Sequence, residues 1–111
     1  MNYHNKKFRA KQNAPNGEVD DSTLFHYTQK ADIVTGTYSG KQIREGQLIA
    51  RVQHDGSLIM RYQHLNVDGE FKYGHCTSTP EVLENGKIRL HEKWQWDCDD
   101  KSMGESIIEE V

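Results

Sequence analysis

Cysteine and proline are scarce in this chain of 111 residues, with two of each. Hydrophobic residues make up only 34% of it, and no apolar run approaches the length that reads as a membrane span. The N-terminal stretch MNYHNKKFRAK has no apolar core of the kind a signal peptide carries. Neither membrane insertion nor export is expected, and the expected compartment is the cytoplasm. Cys76 and Cys98 are expected there as free thiols. Charge of one sign is lacking too: 14 Lys and Arg against 17 Asp and Glu leave a formal charge of −3. That balance provides no basic footprint for nucleic acid and no acidic run that forms a disordered tail.

What is present is turn chemistry between β-rich segments. Asn16-Gly17, Ser39-Gly40, Asp55-Gly56, Asp68-Gly69 and Asn85-Gly86 recur at short intervals. Such pairs between alternating segments are the strongest short-range signal of a hairpin. The segments between them are rich in Tyr, Ile, Val, Thr and Phe, and none shows a sustained helical period. The pattern predicts strands at 6–13, 22–29, 32–38, 43–53, 57–66, 70–79, 87–96 and 103–110. Pro80 argues against one continuous strand through residues 70 to 84. The mean hydropathy of −0.90 suits a core with one apolar face per strand better than a helical bundle.

Register can be read for two turns. A three-residue His54-Asp55-Gly56 loop pairs Val52 with Leu58, Ala50 with Met60 and Leu48 with Tyr62. All the apolar pairs then share one face. At Asn85-Gly86 a two-residue loop is preferred, pairing Leu83 with Ile88 and setting Glu84 beside Lys87. The Asp68-Gly69 register stays open. Successive antiparallel strands with twist and two exposed edges favour closure. The expected architecture is all-β: a single domain over residues 1–111, an up-and-down meander closing into a barrel of about eight strands, of the lipocalin or avidin kind. A two-sheet sandwich is the alternative.

The stretch KIRLHEKWQW poses the functional question. With a period of two, Ile88, Leu90, Glu92, Trp94 and Trp96 share the inward face. A buried carboxylate is costly unless paired or protonated, so Glu92 needs a partner. Tyr38, Tyr62 and His64 fall on inward faces of other strands and are the candidates. Together Tyr38, Tyr62, His64, Glu92, Trp94 and Trp96 form the candidate ligand-binding set, a mostly apolar lining with a few polar groups. The competing reading ties Glu92 to neighbouring strands and counts both tryptophans as core. Outside, Arg61, Gln63, Arg89, His91 and Lys93 read as a solvated exterior more readily than as an anion site.

Other chemistry finds no footing. A calcium loop starting at Asp97 would need glycine where Ser102 stands and glutamate where Ile108 stands. The histidines and cysteines show no zinc-type spacing. His75 and Cys76 are adjacent on a strand and point to opposite faces, a poor nucleophile–base pair. No catalytic residue, metal site or cofactor is assigned.

The segments GTYSGKQIREGQLIARV, DGSLIMRYQHLNVDGE and KIRLHEKWQW, with the ending GESIIEEV, resemble a family of small bacterial proteins often labelled N-acetylglutamate synthase. The resemblance covers about Asn16 to Val111, with RYQH and RLHEKWQW its most specific pieces. It implies an acetyl-CoA-dependent activity and supplies no catalytic residues. Three functional classes follow. The first is a small-molecule-binding barrel. The second is a filled barrel acting as an interaction module, in its simplest form a homodimer. The third is an enzyme with Glu92 or His64 as general acid or base.

Overall fold

The structure, a computed structural model, describes residues 1–111. Its strands are β1 (Lys6–Asn13), β2 (Leu24–Lys30), β3 (Ile33–Ser39), β4 (Ile43–Val52), β5 (Leu58–Asn66), β6 (Phe71–Val82), β7 (Ile88–Trp96) and β8 (Met103–Glu110). They follow one another around a closed antiparallel barrel. Closure comes from β8, which pairs with β7 on one side and β1 on the other, with a bulge between Ala10 and Gln12. Every strand has a neighbour on both sides over part of its length, so the barrel form disposes of the edge strands that a flat meander would have. The all-β expectation and the closed meander are both borne out.

Alternation decides what enters the barrel. Along β7 the inward set is Ile88, Leu90, Glu92, Trp94 and Trp96, all buried. The outward set is Arg89, His91, Lys93 and Gln95, charged or polar throughout. Arg89 meets Glu109 and Glu81, and His91 meets Glu81. Within the outward cluster read from the sequence, Arg89 and His91 are thus paired, and Arg61, Gln63 and Lys93 lie on the barrel exterior.

The two ends of the barrel differ. At one end lie the β2–β3, β4–β5 and β6–β7 turns and the N-terminal segment. Tyr3 fills this end: it is fully buried, its hydroxyl donates to the Gly56 carbonyl at 2.5 Å, and its amide donates to Gln29 Oε1 at 2.8 Å. Phe8, Tyr27, Val34, Leu58, Leu90 and Ile108 pack solidly with it and are also fully buried. Burying each such side chain is worth roughly 1.5–3 kcal/mol, so this end is where the barrel is held together. The other end carries the β3–β4, β5–β6 and β7–β8 turns and the longer β1–β2 connection, residues 14–23.

Three hairpins share one turn design. Val52 faces Leu58, Ala50 faces Met60 and Leu48 faces Tyr62, as the His54-Asp55-Gly56 reading required. The β5–β6 turn, open in the sequence, is closed by the Asn66 amide on the Glu70 carbonyl at 2.9 Å. The β6–β7 turn corrects the sequence reading. Val82, not Leu83, faces Ile88, and Leu83 instead donates to the Lys87 carbonyl. Glu84 is therefore inside the loop and not opposite Lys87. Gly56, Gly69 and Gly86 all have φ near +80°, the left-handed third position of a three-residue hairpin loop.

Pro80 is a second correction. It does not end β6, which continues to Val82. The reason is local: pairing with β5 stops at Ser78, whereas pairing with β7 runs on through Pro80 and Leu90 to Val82 and Ile88. Beyond Ser78 the strand has a neighbour on one side only, so a residue without an N–H is tolerated.

Candidate functional site

Beneath the 14–23 connection the packing opens into a cavity of about 50 Å³. Its floor lies midway down the barrel, where Met60, Cys76, Glu92 and Ser106 meet. Its walls are Phe25, Tyr38, Leu48, Tyr62, His64, Trp94 and Trp96, and its roof is Asn13, Gly17, Glu18 and Val19. All six residues singled out from the sequence line this one space. The sequence reading missed the roof: Gly17, Glu18 and Val19 belong to a loop, about which period-two patterning carries no information, and Asn13 ends β1.

The aromatic walls form a connected girdle. Phe25 stacks on Tyr38 with ring centroids 5.1 Å apart, and His64 meets Tyr38 edge-on at 5.6 Å. Trp96 meets His64 at 5.9 Å and Trp94 at 5.6 Å. Register seats these rings. Tyr38 lies directly across from Gly46, Tyr62 from Gly74 and Trp94 from Gly104. A Cβ on Gly46 would lie 2.5 Å from the Tyr38 ring, and one on Gly104 would lie 2.4 Å from the Trp94 ring. These two glycines are therefore close-approach positions, where the missing side chain is the space the ring occupies.

Glu92 does not pair with the candidates His64, Tyr38 or Tyr62; it is tied to its neighbouring strands, as in the competing reading of the sequence. Its partners sit directly beside it in the sheet: Ser78 on β6 and Ser106 on β8 are its cross-strand neighbours. Ser78 Oγ donates to Oε2 at 2.7 Å, and Ser106 Oγ donates to Oε1 at 3.1 Å. Burial pushes the Glu92 carboxyl above the ordinary carboxylate range, and the two serine hydroxyls only partly offset this. Two donors use half the acceptor capacity of an ionised carboxylate. Nearby, the buried Tyr27 hydroxyl has no protein partner.

His64 belongs to a different network nearer the mouth. Its Nδ1 is 2.9 Å from the Tyr38 hydroxyl and its Nε2 is 2.7 Å from Glu18 Oε1. Burial holds the imidazole below its ordinary value, against the opposing pull of Glu18, and pushes the Tyr38 phenol up. A neutral ring satisfies both contacts in one tautomer: the Tyr38 hydroxyl donates to Nδ1, and Nε2–H donates to Glu18. Asn66 Nδ2 donates to the second Glu18 oxygen at 3.0 Å and to Glu70 at 3.2 Å. Asn66 Oδ1 accepts from the backbone amides of Asp68 and Glu70 at 3.1 and 2.9 Å, which fixes which way the side-chain amide points.

The roof is fastened at a few points. Trp96 Nε1 donates to the Asn16 carbonyl at 3.1 Å, and Trp94 Nε1 to Asn13 Oδ1 at 3.3 Å. Asn13 Nδ2 in turn donates to the Val19 carbonyl at 2.6 Å.

A meander barrel packed solid at one end, with a small aromatic and partly polar cavity at the other, is the architecture on which a small-molecule site can be built. Residues 1–111 match the family described as avidin-like protein. The chain belongs to that family, and membership points to small-molecule binding. Neither the curated proteins nor the solved structures contain a match to the chain.

Proposed function

We propose that the barrel binds a small, largely apolar molecule with polar groups at both ends, in the cavity lined by Tyr38, Tyr62, His64, Glu92, Trp94 and Trp96. The observation that carries this is the asymmetry of the interior. Large side chains pack one half solid, while the other half keeps a cavity with a buried carboxylate held by two serine hydroxyls. A filled structural barrel would gain by closing that space with an apolar side chain. Glu92 at the floor suits an N–H or O–H donor on the ligand, and the aromatic girdle suits a flat or aliphatic body. About 50 Å³ holds a few waters, whereas ligand pockets usually span about 300–1,000 Å³. Binding therefore requires the 14–23 connection to swing out.

Thermal unfolding against a panel of small molecules tests this reading. The panel includes acetyl-CoA, glutamate, N-acetylglutamate, medium-chain fatty acids, and cyclic ureas and amides. A ligand at 100 times its Kd adds about 2.7 kcal/mol, which is several degrees for a domain of this size. A saturable rise that is lost in Trp96→Ala supports the reading. No rise with any member, together with tryptophan emission that stays unchanged throughout, overturns it.

A further inference from the structure

The roof brings its own carboxylate into the barrel mouth, and the barrel receives it with donors that are assembled without it. His64 and Asn66 are 3% and 1% exposed. The Tyr38 hydroxyl orients the His64 ring, and two backbone amides of the β5–β6 turn orient Asn66. Their free N–H groups converge on the two oxygens of one carboxylate, Glu18 Oε1 and Oε2. Lys72, on the inward face of β6 and directly across from His64, adds a cation at the rim, where it is paired with Asp99 and Glu70. Glu18 itself comes from the connection, not from a strand, and its side chain is 20% exposed.

We propose that Glu18 is a built-in stand-in for an acidic group of the ligand. His64 and Asn66 are then a two-donor carboxylate site, and a small carboxylic acid displaces Glu18 from it. This rests on the cavity reading above and adds the chemical class. The ligand's carboxylate takes the place of the Glu18 carboxylate at Nε2–H of His64 and Nδ2–H of Asn66. Its apolar body lies on Trp96 and Trp94, and the displaced connection gives up the bond from the Trp96 indole to the Asn16 carbonyl. Glu18 thus acts as an intramolecular competitor, so the closed protein binds acids more weakly than the bare site does.

The test compares hexanoate with hexanamide, which share a tail and differ in the charged end, using tryptophan emission as the readout. Glu18→Ala is expected to bind hexanoate at least tenfold more tightly than the wild type. It is also expected to prefer hexanoate over hexanamide by tenfold or more, the scale of a hydrogen bond to a charged group. Adding His64→Ala or Asn66→Ala should erase that preference. Glu18→Gln, which keeps the side chain's shape, serves if Glu18→Ala is poorly folded by circular dichroism, and the same preference is expected. Equal binding of the two probes would overturn the carboxylate site and leave the cavity reading standing. Binding of neither probe, with some panel molecule still raising the melting temperature, does the same. If no probe and no panel molecule binds, both readings fall.

Discussion

Glu92 and His64 are buried ionisable groups whose effects on stability run in opposite directions with pH. In the unfolded chain Glu92 ionises near the ordinary value of 4.5, while in the barrel burial keeps its proton to higher pH. The folded state then binds more protons in that window, so stability falls as the pH rises above about 4.5. Glu92→Gln removes this loss. Its melting temperature relative to the wild type is expected to climb between pH 4 and pH 7, and a flat difference would show that Glu92 ionises normally. For His64 the folded imidazole lies below the ordinary 6.5. The unfolded chain takes up the proton first as pH falls, and stability is lost below about 6.5. His64→Gln should blunt that acid-side loss without altering the alkaline side.

At the scale of elements, the hairpins depend on one backbone conformation used three times. Gly86 has φ of +83° and nothing within 4 Å of where a Cβ would stand. Substitution there introduces backbone strain alone. Gly86→Ala is expected to cost about 1–2 kcal/mol in urea unfolding, and Gly86→Asn less, because asparagine tolerates the left-handed region. Equal costs would mean that something other than φ decides the turn. The Asx side chains reinforce the same design: Asp55 accepts from the Ser57 amide and Asn85 from the Lys87 amide, at 2.9 and 3.0 Å.

For the whole molecule the central feature is the division of labour between the ends. Tyr3 lies outside every strand yet fills the packed end, so the N-terminal segment is part of the core and not a tail. Tyr3→Ala is expected to cost about 3–5 kcal/mol, as for other large buried rings. Tyr3→Phe, which loses only the bond to the Gly56 carbonyl, should cost about 1 kcal/mol. Because Tyr3 is remote from the mouth, the folded Tyr3→Phe variant should retain the near-ultraviolet dichroism of Trp94 and Trp96. Loss of that signal would show that the two ends are coupled. The separation lets one half of the barrel supply stability while the other keeps a cavity and a costly buried acid.

Alternation and turn residues by themselves determined the strands and the inward faces of β3, β4, β5 and β7, and favoured a closed meander over a two-sheet sandwich. These are local properties: side chains alternate every residue, and Gly or Asx marks where the chain must reverse. The same locality made the six inward residues legible as one lining. What joins Glu92 to its partners was not legible, because it depends on one residue of loop length. The two-residue loop inferred at Asn85-Gly86 would have set Thr79 across from Glu92, whereas the actual three-residue loop sets Ser78 there. Pro80 was misjudged for a related reason, since whether a strand position has one neighbour or two is a property of the assembled sheet. Glu18 lay further out of reach. It belongs to a connection with no periodic pattern, and it meets His64 and Asn66 across 46 and 48 residues of chain. Only the tertiary structure decides such a contact, because hydrogen bonds form between groups that the fold brings together, and a loop's sequence does not say where its side chains will rest.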